Sequence, residues 1–278
     1  MATTRLRASA VSSPALDADV LLAHVLDISK EALVAHPGIA LSAVESERYD
    51  RLIDRRAQGV PVAYLRGFKE FYGLRFIVDD RVLVPRPETE VLVDAVRAHA
   101  HGRSLTVVDL GTGSGAIAVA LSVTEPGLRI IAVDVSTDAL AVARANAAAN
   151  GVSVEFRAGD LLEPIAEPVD VVAANLPYLR EDELADLAGD RASLAHEPRL
   201  ATVAGADGLE LVRRAIADLP RVLAPGGAAF FECDPPQIAA VSDLLAPLGT
   251  VDVLRDLAGL ERVVRMLRTG GARLSSGR

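Results

Sequence analysis

The fold is decided by one stretch, Val107-Val108-Asp109-Leu110-Gly111-Thr112-Gly113-Ser114-Gly115-Ala116. An apolar strand ends here in a glycine-rich turn, and an apolar helical segment follows at once. Glycine permits positive φ angles and close approach of a ligand, and the first turn of a helix presents unpaired N–H groups. The stretch therefore predicts a strand, a loop and a helix that together bind a ligand at the helix start.

The chain around this stretch alternates short β-branched runs with helical segments. The predicted strands are Leu105–Leu110, Arg129–Asp134, Val154–Arg157, Val169–Ala174, Ala228–Glu232, Val251–Leu254 and Val263–Leu267. The predicted helices between them begin near Gly115, Asp138, Leu209 and Pro236. Such alternation is typical of an α/β domain with a mostly parallel sheet and helices on both faces.

The residues before this domain have a different pattern. Helical spacing predicts a small bundle, with helix starts at Ser13-Pro14 and at Ser42, where Glu45 completes a capping box. Two β-rich runs, Phe71–Val78 and Arg81–Val84, flank Asp79-Asp80 and predict a hairpin. We divide the chain into a helical domain, a hairpin connector, an α/β domain and a disordered tail, at residues 1–70, 71–88, 89–268 and 269–278.

Composition limits the functions that fit this chain. It carries 29 basic and 38 acidic residues, a formal net charge of −9, which argues against extended binding to nucleic acid. The single cysteine, Cys233, excludes an intramolecular disulfide and fits a reducing cytoplasm. The sequence has no spaced Cys and His ligands for a metal, no membrane-spanning run and no secretory signal. We expect a cytoplasmic protein without a metal.

The glycine pattern alone leaves the cofactor open. Gly111-x-Gly113-x-x-Ala116 also fits the dinucleotide fingerprint, and Asp134 suits the ribose of either NAD or S-adenosylmethionine. A tight turn that binds nothing is a third interpretation. Two acids favour S-adenosylmethionine. Asp109 ends an apolar strand and needs a donor such as the methionine ammonium, and Asp160, at another strand end, suits the adenine amino group.

The predicted acceptor site is Asn175-Leu176-Pro177-Tyr178, directly after the strand Val169–Ala174. The Asn175 side-chain oxygen and the Leu176 carbonyl could accept the two hydrogens of a planar NH2 group and favour its rehybridisation. Pro177 would fix the loop, and Tyr178 would stack on the planar group. Rate would come from in-line proximity and electrostatics, without a strong base. The alternative is an ordinary turn that uses Asn and Pro as turn formers.

From about Ala15 to Arg268 the sequence resembles the HemK/PrmC protein-(glutamine-N5) methyltransferases. The resemblance rests on segments outside the common methyltransferase core, namely Gly59–Gly67, Glu70–Leu74, Val84–Glu90, Glu197–Leu200 and Gly205–Leu209. It implies a Rossmann-like class I methyltransferase domain, with an N-terminal helical bundle for substrate recognition joined by a β-hairpin. It also implies transfer of a methyl group from S-adenosylmethionine to the glutamine of the GGQ motif in class 1 release factors.

The residue patterns and the family resemblance together predict the residues of the site. The predicted cofactor-binding residues are Asp109, Gly111, Thr112, Gly113, Ser114, Gly115, Asp134, Asp160, Leu161 and Asn175. The predicted substrate-binding residues are Asn175, Leu176, Pro177, Tyr178, Arg86 and Glu88, with Asn175, Pro177 and Tyr178 as the catalytic group. Arg86 and Glu88 have an alternative role, which is to brace the hairpin against the catalytic domain.

The chain departs from the family pattern at two positions. Leu176 replaces the first proline of Asn-Pro-Pro-Tyr, and Asn-Leu-Pro-Tyr is the form seen in rRNA adenine dimethyltransferases. Leu161 stands where some members carry an aromatic beside the adenine. Two alternatives therefore accompany the release-factor hypothesis. One is methylation of a different protein glutamine or of adenine in RNA, and the other is cofactor binding without turnover. We expect a monomer.

Overall fold

The structure, a computed structural model, describes residues 1–9, 11–36, 38–185, 187 and 189–269. It combines a helical N-terminal bundle, a two-stranded hairpin and a seven-stranded sheet. Apart from Thr269, the predicted disordered tail lies outside the described residues. Within the described ranges, no helix is long and apolar enough to cross a membrane.

Five helices form the N-terminal bundle: α1 Ala2–Ala8, α2 Pro14–Leu26, α3 Lys30–Ala35, α4 Ala43–Ala57 and α5 Val62–Arg66. The predicted capping box of α4 is confirmed, because Ser42 and Glu45 satisfy each other's backbone N–H groups. Ser13 precedes α2 as predicted, but its side chain does not cap the helix. Its hydroxyl donates instead to the carboxylate of Asp17 at 2.8 Å, which also accepts from Arg56 at 2.6 Å.

The connecting hairpin exists, but its predicted strands and turn are wrong. Its strands are β1 Phe68–Phe71 and β2 Leu74–Ile77, and the turn is Tyr72-Gly73 rather than Asp79-Asp80. Tyr72 and Gly73 have φ angles of 53° and 72°, and a type I′ turn needs positive φ at both central residues. The carboxylate of Asp79 instead binds Arg81, at 2.6 Å, beyond the end of the hairpin.

Seven strands form one mixed sheet, which confirms the predicted mostly parallel α/β architecture. They are β3 Thr106–Leu110, β4 Arg129–Asp134, β5 Glu155–Ala158, β6 Val169–Ala174, β7 Leu223–Glu232, β8 Gly249–Arg255 and β9 Glu261–Arg268. Their order is β5-β4-β3-β6-β7-β9-β8, with β3 to β7 mutually parallel and β9 antiparallel to both its neighbours. The carboxyl ends of β3, β4 and β6 therefore meet at one edge of the sheet.

Helices cover both faces of the sheet, as predicted. They are α6 Glu90–Ala100, α7 Ala116–Thr124, α8 Thr137–Ala149, α9 Glu181–Ala185, α10 Arg199–Thr202, α11 Glu210–Val222 and α12 Ile238–Leu245. The hairpin, α6, α7 and α8 share one apolar core with the sheet, and α11 and α12 pack in a second core on the opposite face. Burial of these apolar side chains is the main force that holds the layers together.

One buried side chain joins the hairpin to the glycine loop. Asn146 of α8 is fully buried. Its Oδ1 accepts from the Ile77 backbone N at 2.6 Å, and its Nδ2 donates to the carbonyls of Ile77 and Ser114 at 3.0 and 2.8 Å. The position of the hairpin is therefore tied directly to the loop that follows β3.

We expect Asn146→Ala to lower the free energy of unfolding by about 1–3 kcal/mol, because it leaves buried backbone groups without partners. Urea unfolding measures this loss. Asn150→Ala is the matched control, since Asn150 is only half-buried and donates to the Arg75 carbonyl at 3.2 Å. Its loss should stay below about 1 kcal/mol. Equal losses of unfolding free energy in the two variants would show that the buried contacts of Asn146 stabilise the protein no more than those of Asn150.

Candidate active site

A cavity of about 340 Å³ opens at the carboxyl ends of β3, β4 and β6. This is where open α/β sheets bind their ligands, and the volume suits a small molecule. The structure brings many of the predicted site residues together on its wall. They are Gly111, Gly113, Asp134, Asp160, Leu161, Asn175, Leu176 and Pro177. Within the described residues, no group of acidic, His and Cys side chains is arranged to hold a metal.

The glycine loop after β3 needs its glycines. Gly111, Gly113 and Gly115 have φ angles of 72°, 54° and 79°, which residues with a side chain rarely adopt. A Cβ on Gly111 would lie 3.0 Å from Cδ2 of Leu176, so the loop also packs tightly against the acceptor motif. Thr112 and Ser114 are buried and shape the loop from behind. The loop thus presents main chain, rather than side chains, to the cavity.

Asp134, the last residue of β4, holds the glycine loop in position. Its Oδ2 accepts from the Gly113 backbone N at 2.8 Å, and its Oδ1 accepts from the Ser136 backbone N at 2.9 Å. Burial raises the pKa of the Asp134 carboxyl above its ordinary value. The side chain therefore lines the cavity in a fixed orientation. Its predicted contact with ribose hydroxyls stays a prediction.

Asp109 does not reach the cavity wall. Its carboxylate is completely buried, and Oδ2 accepts from Thr112 Oγ1 at 2.6 Å and from the Ala118 backbone N at 3.0 Å. Burial raises the pKa of Asp109 to about 6. The other oxygen, Oδ1, has no partner among the described residues. Asp109 thus fastens the loop to α7 and keeps one acceptor unused, and its contact with a methionine ammonium stays a prediction.

Asp160 and Leu161 also line the cavity. The Asp160 carboxylate forms an ion pair with Arg214 of α11, which also lines the cavity. Leu161 has a φ of 49°. An apolar side chain beside a carboxylate is a suitable environment for a planar heterocycle with an amino group, and the adenine contact stays a prediction.

Asn175 is held by two residues that sequence reasoning missed, Thr89 and Glu232. Asn175 Nδ2 donates to Thr89 Oγ1 at 3.0 Å, and the Thr89 hydroxyl donates to Glu232 Oε1 at 3.1 Å. This chain of hydrogen bonds uses the amide nitrogen of Asn175 within the protein and leaves its side-chain oxygen as an acceptor, and the predicted contact of that oxygen with a substrate N–H stays a prediction. The sequence contained a signal for each of these two residues. Thr89 lies in a segment that carried the family resemblance, and Glu232 is a charged residue at the end of an apolar strand.

Glu232 is buried, and its Oε2 has no partner among the described residues. Burial raises the pKa of its carboxyl from 4.5 to about 7. The unfolded chain therefore releases this proton at lower pH than the folded protein does. For this group the free energy of unfolding falls as pH rises from about 4.5 to about 7, by on the order of 2–3 kcal/mol.

We expect Glu232→Gln to remove this contribution, so that the variant loses less stability than the wild type between about pH 5 and pH 8. Urea unfolding at both pH values measures the difference. Glu163→Gln, at an exposed carboxylate, is the control and should decline as the wild type does. A Glu232→Gln variant with the wild-type decline would show that the buried carboxyl does not titrate in this range.

Side-chain packing and a hydrogen bond to its main chain hold the rest of the acceptor loop. Leu176 is buried against the glycine loop. The Tyr178 carbonyl accepts from Gln237 Nε2 at 3.1 Å, and a Cβ on Gly208 would lie only 2.2 Å from that oxygen. Gly208 therefore permits the close approach that supports this loop. The Tyr178 side chain is not on the cavity wall, so its stacking role stays a prediction.

Arg86 and Glu88 lie outside the cavity. Arg86 forms an ion pair with the buried carboxylate of Glu197, which also accepts from the Val84 backbone N at 2.9 Å. Burial raises the pKa of Glu197. Glu88 lines a separate groove between α6 and the β8–β9 turn. For Arg86, this geometry favours the bracing role over direct substrate binding.

The sheet order, the glycine loop and the polar acceptor loop define a class I methyltransferase. A methyltransferase from Pyrococcus furiosus shares this fold, with a TM-score of 0.54 and 17% identity over 81% of this chain and 100% of that one. Residues 1–67 match the model of the PrmC N-terminal domain, and residues 87–199 match that of the methyltransferase small domain.

Relatives identify the family. The release factor glutamine methyltransferase of Deinococcus radiodurans is 39% identical over 97% of both chains. The enzyme of the same name from Neisseria gonorrhoeae is 41% identical over 90% of this chain and 92% of that one. The chain belongs to the release factor glutamine methyltransferase family.

Proposed function

We propose that the protein transfers the methyl group of S-adenosylmethionine to the side-chain N5 of the glutamine in the GGQ motif of class 1 release factors. One observation carries the proposal. At the edge of a cofactor-sized cavity, Asn175 is oriented by Thr89 and Glu232 to offer its side-chain oxygen to an N–H. The names of the relatives, at 39–41% identity, support the same substrate.

The cavity residues fit S-adenosylmethionine. The glycine loop offers main-chain groups, Asp134 offers a carboxylate for ribose hydroxyls, and Leu161 offers an apolar surface for adenine beside Asp160. The unpaired Oδ1 of Asp109 is an acceptor for the methionine ammonium, reached through a water. When bound, the cofactor supplies an electrophilic methyl group on a sulfonium.

The acceptor loop prepares the amide nitrogen for attack. The Asn175 side-chain oxygen and the Leu176 carbonyl accept its two N–H groups, which fixes its direction and favours loss of its planarity. Pro177 keeps the loop in place, and Tyr178 covers the planar amide. The nitrogen releases one proton to solvent as it gains the methyl group, so no side chain has to remove that proton beforehand. Positioning and electrostatics supply the rate.

The division of the chain follows from this role. The predicted boundary at residue 70 divides the hairpin, whose first strand begins at Phe68. Residues 1–67 would therefore recognise the protein substrate, residues 68–88 would connect this bundle to the catalytic domain, and residues 89–268 would bind the cofactor and carry the reaction. The net charge of −9 supports a protein rather than a nucleic-acid substrate. We expect the enzyme to act as a monomer in the cytoplasm.

One residue favours a second candidate, methylation of adenine in RNA. Leu176 gives the acceptor motif the form seen in rRNA adenine dimethyltransferases. In this structure the Leu176 side chain is buried against Gly111, and the group proposed to touch the substrate is its backbone carbonyl. Because leucine and proline supply the same carbonyl, Leu176 by itself does not select adenine.

Incorporation of labelled methyl groups tests the proposal. The enzyme is incubated with labelled cofactor and either a class 1 release factor, the same factor with alanine in place of the GGQ glutamine, or ribosomal RNA. Labelling of the unaltered factor alone is expected. Labelling of the RNA but of neither factor would replace the proposed function with the second candidate.

A further inference from the structure

The N-terminal bundle carries a cationic cavity that the reaction does not use. It has a volume of about 620 Å³ and lies between α2, α3, α4 and the hairpin. The basic side chains on its wall are His24, Lys30, Arg48, Arg66 and Arg75, and the acidic ones are Asp27 and Glu70. We call this group of residues the cationic cavity.

Three of these cations lack a carboxylate partner. Among the described residues, Lys30, Arg48 and Arg75 form no ion pair, whereas Arg66 binds Glu70 at 2.9 Å. Among the four arginines of α4, Arg51 pairs with Glu47 and Arg56 pairs with Asp17. Arg48 in the cavity and Arg55 outside it form no ion pair among the described residues. A chain with 38 acidic and 29 basic residues has carboxylates to spare. Unpaired cations gathered in one cavity are therefore available to an external anion.

The cationic cavity is also pre-organised. The guanidinium carbons of Arg66 and Arg75 lie 4.0 and 3.5 Å from the centroid of the Phe68 ring. Stacking on an aromatic ring restrains the guanidinium plane and leaves its N–H edge free for a carboxylate. Arg48 Nη2 lies 3.4 Å from Nε2 of His24. Burial and the neighbouring cations Arg48, Arg66 and Arg75 lower the pKa of His24, against a weaker opposing effect of Asp27, so its neutral ring accepts from Arg48.

We propose that the cationic cavity docks a carboxylate-rich surface segment of the protein substrate, at a distance in sequence from the segment that carries the acceptor glutamine. This inference rests on the proposed function, which makes the substrate a folded protein. Guanidinium forks bind carboxylates through two parallel hydrogen bonds, so Arg48 and Arg75 suit such a segment.

The structure favours an acidic protein segment over RNA. Proteins that bind single-stranded RNA stack bases on free aromatic rings along a basic groove. Here the ring of Phe68 is already stacked by guanidinium groups, and the cations line one cavity in a chain of net charge −9. Single carboxylates can reach this cavity without bringing a long polyanion close to the acidic protein.

The cationic cavity is connected to the catalytic domain. Arg75 lies on β2 two residues before Ile77, and Asn146 joins both backbone groups of Ile77 to the Ser114 carbonyl in the glycine loop. A partner bound at Arg75 is thereby held at a fixed position relative to the glycine loop. Docking there would raise the local concentration of the acceptor glutamine at Asn175.

The test compares two full-length double variants with the same change in net charge. Arg48→Glu/Arg75→Glu reverses the cationic cavity. Arg7→Glu/Arg144→Glu is the matched control, because both arginines are exposed and form no ion pair among the described residues. Arg144 also lies over an aromatic ring, 5.3 Å from the centroid of Phe156, as Arg75 does over Phe68. The substrates are an intact release factor and a short synthetic peptide that contains its GGQ motif. Steady-state rates, the Kd of the intact factor and the melting temperature are measured for each enzyme.

We expect the cavity variant to raise KM and Kd for the intact factor about tenfold or more, since two charge-assisted contacts become repulsive. Its kcat and its KM for the peptide should match those of the control variant, and the melting temperature establishes that both variants are folded under the assay conditions. Added salt should weaken binding of the factor to the wild type more than to the cavity variant. An unchanged Kd for the factor, an equal rise of KM for the peptide, or a loss of RNA binding in place of factor binding would overturn the docking proposal. Failure of the wild type to methylate both substrates would instead overturn the proposed function, and the Kd comparison would still decide the docking.

Discussion

Replacing Asn175 with alanine should lower kcat for methyl transfer by about 10²–10³-fold, because a pre-organised polar group at the reacting atom contributes this much in comparable sites. The structure gives the reason. Nδ2 of Asn175 donates to Thr89 at 3.0 Å, which leaves the side-chain oxygen as the acceptor that we propose for the substrate N–H. Initial rates at saturating cofactor and release factor measure the loss, and calorimetry measures the cofactor Kd, which should change far less.

A pair of Thr89 variants provides the control for this experiment. Thr89→Ser keeps the hydroxyl that joins Asn175 to Glu232 and should retain kcat close to that of the wild type. Thr89→Val removes the hydroxyl, frees the orientation of the amide and should lower kcat by about tenfold. If Asn175→Ala lost cofactor affinity in proportion to its rate, the predicted cofactor contact of Asn175 would account for the whole effect, and its role at the acceptor would be wrong.

Replacing Asp134 with alanine should weaken cofactor binding by about 1–3 kcal/mol, which corresponds to roughly 5- to 150-fold in Kd. Three losses contribute. The carboxylate proposed to accept from the ribose hydroxyls is removed, and the backbone N–H groups of Gly113 and Ser136, which Asp134 holds at 2.8 and 2.9 Å, lose their partner. Calorimetric titration with S-adenosylmethionine measures the change.

Asp134→Asn separates the ribose contact from the Gly113 contact. The asparagine oxygen can still accept from Gly113, so the glycine loop should keep its position, while its NH2 group faces the Ser136 N–H and one acceptor for ribose is lost. We expect a smaller loss of affinity than in Asp134→Ala, and a melting temperature between those of Asp134→Ala and the wild type. A dissociation constant unchanged in both variants would contradict the assignment of Asp134 to the ribose.

Local sequence signals predicted most of the fold. The apolar β-branched runs gave strands close to those observed, because a strand buried on both faces needs such residues at nearly every position. The capping box of Ser42 and Glu45 was also predictable, since its partners lie three residues apart. The predicted position of the hairpin was wrong because it also rested on local signals alone. Asp79-Asp80 and Tyr72-Gly73 are both turn-like, and only tertiary contacts select between them, including the bond from the Tyr72 backbone N to Glu90 at 2.7 Å.

The candidate site was predictable only in part. The cavity residues directly follow parallel strands of the sheet. Because the carboxyl ends of parallel strands meet at one edge, the sequence could predict that these residues lie close together. Thr89 and Glu232 are 143 residues apart, and no local pattern indicates that they meet beside Asn175. Arg86 and Glu197 are 111 residues apart, so their ion pair was equally invisible. The buried position of Asp109 behind the loop depends on its bonds to Thr112 and Ala118, which only the folded loop brings into place.

We propose that Asn175 directs methyl transfer to one glutamine of a release factor. Tandem mass spectrometry of an intact class 1 release factor, after incubation with wild-type enzyme and cofactor, locates any methyl group that is added. We expect one methyl group, on the side-chain nitrogen of the GGQ glutamine, and none when Asn175→Ala replaces the wild type. An unmodified glutamine in the wild-type reaction, or a methyl group on any other residue, would show that this proposal is wrong.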